Sequence, residues 1–133
     1  MKKTILGVLA GVGFMLAVPA FAHHSFAAEY DSTKPMTATG EVTKVEWMNP
    51  HARFYVDVKD ADGKVTNWEF ELGSPNGLMR QGWTRNSLKQ GDMITVDGYM
   101  AKDGSKLANA RTVKLSDGRK VFAGSTTDGG PTK

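Results

Sequence analysis

The chain holds three histidines and no cysteine. Any metal site in it must therefore be built from imidazole, carboxylate, thioether or main-chain nitrogen. Two of the histidines are adjacent, His23 and His24, and they directly follow Ala20-Phe21-Ala22. Cleavage after Ala22 would leave His23 with a free α-amine next to its own ring. An amine and a ring nitrogen on one residue chelate together, and the imidazole of His24 or His51 completes three nitrogens. Cu(II) suits such a set, since it favours tetragonal N/O geometry and binds most strongly among the divalent first-row ions. Met48, just ahead of His51, offers a soft thioether to Cu(I). The plainer readings stay open. Two polar residues are readily tolerated after a cleavage site, and the imidazole in Asn49-Pro50-His51 can satisfy a backbone carbonyl in a turn.

Other chemistry-bearing residues read as structural. Glu69 and Glu71 lie on one face of an expected strand, about 7 Å apart by its two-residue rise. A solvated strand produces that spacing routinely, and no acid–base pair is expected from it. Ser74 reads as a helix cap rather than a nucleophile, since no nucleophile-elbow pattern surrounds it. Trp47, Phe54, Trp68 and Phe70 have core parity. Tyr55, Trp83 and Tyr99 are less easily buried by pattern and can line a face that stacks on a ligand. The scattered glycines sit at turns and form no phosphate loop. The sequence points to a protein that is not an enzyme.

The N-terminus decides what the histidines mean. Lys2 and Lys3, an uncharged apolar run over residues 5–18, Pro19 and the small-x-small stretch make residues 1–22 a secretory signal peptide. The run falls short of the roughly 20 apolar residues that span a bilayer. No membrane anchor is expected after cleavage, and the location is periplasmic or secreted. The whole chain carries 17 basic and 14 acidic residues. Without Lys2 and Lys3 this becomes 15 against 14, a net of +1, which argues against bulk electrostatic binding of nucleic acid.

The elements that must position these residues are strands. Residues 23–36 read as a polar leader without a clear period. Val42, Val45 and Trp47 change parity, which predicts a bulge near Thr43-Lys44 in a long first strand. Ala52, Phe54, Val56 and Val58 then alternate with Arg53, Tyr55, Asp57 and Lys59. Asp62-Gly63 predicts a hairpin into a third strand with Trp68, Phe70 and Leu72 inward. Ser74 and Pro75 open a short helix that Gly82 can close. Ile94 and Val96 point inward from a fourth strand, Val113 and Leu115 from a fifth, and Asp117-Gly118 turns the chain once more. Three strands, one short helix, then two or three strands predict an all-β, five- to six-stranded OB-fold-like barrel over residues 37–124. Residues 125–133 have little to bury and are expected to be a disordered tail.

The stretches "AHHSFAAEYD", "VEWMNPHARFYVDVKD", "NWEFELGSPNGLMRQGW", "LKQGDMITVDGYMAKDG" and "SDGRKVFAGS" together resemble a family of small exported bacterial proteins of unknown function. The resemblance implies a periplasmic single-domain protein and supplies no activity. At His23 alone, with His24 or His51 as second imidazole, the N-terminus also resembles the histidine brace of copper-binding exported proteins. The leading expectation is thus a non-catalytic exported binding protein, with copper held by His23, His24 and His51. The alternatives are a barrel-face module for a glycan, peptide or oligonucleotide, and an accessory partner of an envelope system. The sequence names no partner protein.

Overall fold

The alternating stretch after His51 forms β2 (Arg53–Lys59) in a computed structural model that describes residues 26–124 of the chain. The expected signal segment 1–22, His23, His24 and the tail 125–133 lie outside the described residues. Strand β2 pairs antiparallel with β3 (Val65–Glu71), placing Phe54 opposite Phe70 and Val56 opposite Trp68. The hairpin turns where the Asp-Gly signal stands. Gly63 has φ of +82° there, and Asp60 Oδ1 accepts from the Asp62 and Lys64 amides at 3.0 and 2.9 Å.

The first strand, β1 (Tyr30–Glu46), is long because it serves two neighbours. Its early part pairs with β4 (Met93–Ala101) and its late part with β2. Gly40 sits at the changeover, opposite both Val58 and Ile94. A Cβ at Gly40 would lie 2.0 Å from the Asp57 carbonyl oxygen, so only glycine lets the two backbones approach there. The register shifts between Val42 and Lys44, and Thr43 is the extra residue of the expected bulge. Strand β5 (Leu107–Lys114) pairs antiparallel with β4 and parallel with β3, closing the sheet on itself. Strand β6 (Lys120–Phe122) follows the Asp117-Gly118 turn and pairs with β5. The order β3-β2-β1-β4-β5-β6 with the β3–β5 closure is an all-β, OB-fold-like barrel.

Among the described residues two short helices accompany the strands. Helix α2 (Pro75–Arg80) lies between β3 and β4, as expected, with Pro75 at its start. Ser74 Oγ accepts from the Gly77 amide at 3.2 Å. Gly82, at φ of +94°, follows the helix. Helix α1 (Phe26–Glu29) is one turn that the sequence pattern did not announce. The strand also starts at Tyr30, within the stretch read as an irregular leader, rather than at Thr37. Most of residues 31–37 are exposed on both faces, so no apolar period marks them.

Of the expected core, Val42, Phe54, Val56, Trp68, Phe70, Leu72, Ile94, Val96, Val113 and Leu115 are buried. Val45, Trp47 and Val58 are only partly buried and pack against that core. Trp83, read as a candidate ligand-facing residue, is instead 3% exposed and donates from Nε1 to the Phe122 carbonyl at 2.7 Å. A second, smaller cluster gathers Phe26, Tyr30 and Ala101, with Tyr99 and Leu107 packed beside them.

Candidate functional site

On β2 and β3 the residues between the core positions face outward, and the register lines them up. Arg53 stands between Glu46 and Glu71, and Tyr55 between Lys44 and Glu69. The first row continues past Glu71 to Asn109 on β5 and then to Tyr99 on β4. A polar band therefore runs across the outer wall of the barrel and ends beneath α1. Arg53 Nη1 donates to Glu69 Oε1, and Arg53 Nη2 donates to Glu71 Oε2 at 3.2 Å. Lys44 pairs with Glu46 at the other end of the band.

Glu71 departs from the expectation of a solvated strand residue. It is 6% exposed, whereas Glu69 stays partly open to solvent. Parity was read correctly, since Glu71 does face out of the barrel. What the alternation could not reveal is that the chain's own N-terminal segment lies over this end of the wall. Tyr30 is buried there, and its phenol is held far above the usual tyrosine range, first by burial and then by the Glu71 and Glu29 charges. Burial works against the Arg53 guanidinium. The Glu69 hydrogen bond and the charges of Glu71 and Glu69 outweigh it and raise its proton affinity.

His51 leaves the Asn49-Pro50 turn, whose peptide bond is cis. The β2–β3 ladder extends past the strand ends, with Ala52 donating to the Gly73 carbonyl at 3.0 Å and Leu72 donating to the Ala52 carbonyl at 2.8 Å. This extension sets His51 beside Glu71, with Nδ1 2.7 Å from Oε1. The ring thus meets a buried carboxylate, not the backbone carbonyl of the plainer reading. Glu71 spends both oxygens, one on His51 and one on Arg53. With Nδ1 occupied, Nε2 is the nitrogen left to meet a ligand.

Among the described residues no three histidine, aspartate or glutamate side chains gather as a metal site. His51 is the one expected ligand placed in the structure, and His23 and His24 lie outside the described residues. Met48 is exposed near His51 in the chain. Of the three aromatics considered for a ligand face, Trp83 is in the core, Tyr99 packs edge-on against Phe26, and Tyr55 remains half-buried on the outer wall. Tyr30, Arg53, Glu71 and Asn109 escaped the sequence reading as site residues. Their assembly depends on strand pairing between distant segments, and no local spacing encodes it.

No curated protein matches the chain in sequence. Among solved structures it is similar to the mitochondrial single-stranded DNA binding protein Rim1 of S. cerevisiae. The TM-score is 0.48 at 10% identity, over 62% of this chain and 92% of that one. A family of unknown function, DUF6152, matches residues 13–110. That match spans the expected cleavage point, the His51–Glu71 pair, strands β1 to β4 and the first half of β5, and the chain belongs to this family.

Proposed function

We propose that this protein is a non-catalytic, exported binding protein that holds copper through the Nε2 atom of His51 and the processed N-terminus. The remaining ligands are the α-amine and ring of His23, or the ring of His24. One observation carries the reading: the Nδ1 side of His51 is engaged by a buried carboxylate. Histidines that ligate metals commonly use their other nitrogen in this way, which orients the ring and makes the ligating nitrogen more basic. The path of the chain supports it. Phe26 and Tyr30 pack together on the outer wall, and Tyr30 lies against Glu71, which holds His51. Residues 23–26 bridge at most about 10 Å when extended. The signal-peptide pattern supplies the free amine the site needs, together with a periplasmic or secreted location.

Ligand nitrogens must be unprotonated to bind, and an α-amine ordinarily loses its proton near a pH of about 8. Affinity should therefore fall as the pH drops. The test is a copper titration followed by paramagnetic resonance, using protein that starts at His23 and the same protein with one extra N-terminal residue. Strong Cu(II) binding by the first alone, weakened by His51→Ala, is the expected result. Equal weak binding by both would overturn the reading.

A further inference from the structure

Asn76-Gly77 is the chain's one asparagine–glycine step, and it lies in the first turn of α2. Ring closure of an asparagine side chain onto its own backbone has three requirements. The side-chain amide must be free, the next residue's amide must be unhindered, and the backbone must be able to turn that nitrogen onto the side-chain carbon. Asn76 is exposed, and among the described residues its side chain has no hydrogen-bond partner. Gly77 has no Cβ to obstruct attack. Its amide lies too early in α2 for a carbonyl partner within the helix, and Ser74 Oγ holds it instead, at 3.2 Å. Helix α2 has only six residues and contains a glycine, so its own propensity does little to keep that turn closed.

Each of the other four asparagines lacks a requirement. Asn49 precedes Pro50, which has no N–H. Asn67 is held in β3 by Thr43 and Asp57, at 3.1 and 2.8 Å. Asn109 is 1% exposed. Asn86 is followed by a residue with a side chain, and the Ser87 amide donates to the Thr84 carbonyl at 3.0 Å.

We propose that Asn76 is a site of spontaneous deamidation in this protein and that the Ser74 cap sets its rate. When the first turn of α2 frays, the Gly77 nitrogen gives its proton to solvent base and bonds to the Asn76 side-chain carbon. The bond from that carbon to Nδ2 breaks, and the nitrogen leaves as ammonia. Water then opens the ring at either carbonyl, leaving aspartate or isoaspartate. Aspartate adds a negative charge to a first turn that holds none, where the free amides favour it. Isoaspartate inserts a methylene into the main chain and breaks the helix just before Leu78, which is fully buried.

Peptide mapping by mass spectrometry tests this on the full chain, incubated at neutral and at mildly alkaline pH. Exchange of the side-chain NH2 for OH adds about 1 Da, which isomerisation at the Asp-Gly steps does not. The gain should appear at Asn76 before any other asparagine and should quicken with pH. Ser74→Ala should speed it about fivefold, as loss of one capping bond allows. Ser74→Thr, which keeps the hydroxyl, should restore the slow rate, and Gly77→Ala should slow it several-fold. Earlier gain at Asn86 or Asn67, or an unchanged rate in Ser74→Ala, would overturn the proposal.

Discussion

Glu69 and Glu71 are separated by one residue on the same strand, yet they contribute very differently. Glu69 meets Arg53 at a position that solvent still reaches, and exposed ion pairs of this kind are worth roughly 0–1 kcal/mol. Glu71 is buried, and it holds His51 with one oxygen and Arg53 with the other. Removing one partner of a fully buried pair costs about 3–5 kcal/mol. Arg53 is partly exposed and would keep Glu69, which reduces the penalty. Glu71→Ala should therefore cost about 1–3 kcal/mol and Glu69→Ala less than about 1, both read from urea midpoints. Equal losses would show that the burial of Glu71 has no energetic consequence. Glu71→Gln should in addition weaken the proposed copper binding, since a neutral amide makes a poorer partner for the ring it orients.

At the level of elements, Asp97 on β4 joins strands that are remote in sequence. Its carboxylate accepts from Thr37 Oγ1 on β1 at 2.7 Å and from Thr112 Oγ1 on β5 at 3.0 Å. Lys120 Nζ on β6 lies 3.3 Å away. The Thr37 hydrogen bond comes first among the causes that hold this carboxyl below its usual range, with Thr112 and Lys120 adding to it. A carboxyl depressed in the folded state stabilises the protein above its unfolded value of 3.8, and that stability is lost as the pH falls through the lower folded value. Urea unfolding measured from about pH 5 down to about pH 2 should show this loss. Asp97→Asn should flatten it, leaving an acid limb set by the other carboxylates. An unchanged limb in the variant would mean that the cross-strand bonds do not govern ionisation.

At the scale of the molecule, two packed clusters among the described residues divide the labour. The interior holds Phe54 stacked on Phe70, with ring centroids 5.2 Å apart, and Trp68 tilted beside them. Phe54 is fully buried, so Phe54→Ala should cost about 3–5 kcal/mol of folding stability. A loss under a kilocalorie or so would place the strand register in doubt. The outer cluster around Phe26 ties down the start of the described chain and covers one end of the polar band. Its loss should be local. Phe26→Ala is expected to leave the barrel's cooperative unfolding in place while speeding hydrogen exchange at the Tyr30 and Lys102 amides and weakening copper binding. Full retention of copper affinity in that variant would separate the proposed metal site from the N-terminal clip.

The sequence by itself determined the barrel's framework, because alternation and turn chemistry are local. Residues 52–58 alternate as β2 does, Asp62-Gly63 and Asp117-Gly118 turn the chain, and Ser74 and Pro75 open α2. The changed parity from Val42 to Val45 was enough to locate the bulge at Thr43. The early start of β1 was not legible, since the pairing of residues 30–37 with β4 buries almost no alternating apolar face. Nor was the environment of His51. Glu71 has the parity of a surface residue, and only the parallel β3–β5 closure and the N-terminal turn lying over that wall bring Asn109 and Tyr30 against it. Those contacts join positions 30, 51, 71 and 109, far apart along the chain. Tertiary pairing alone decides which outward-facing carboxylate loses its water and thereby comes to orient a histidine.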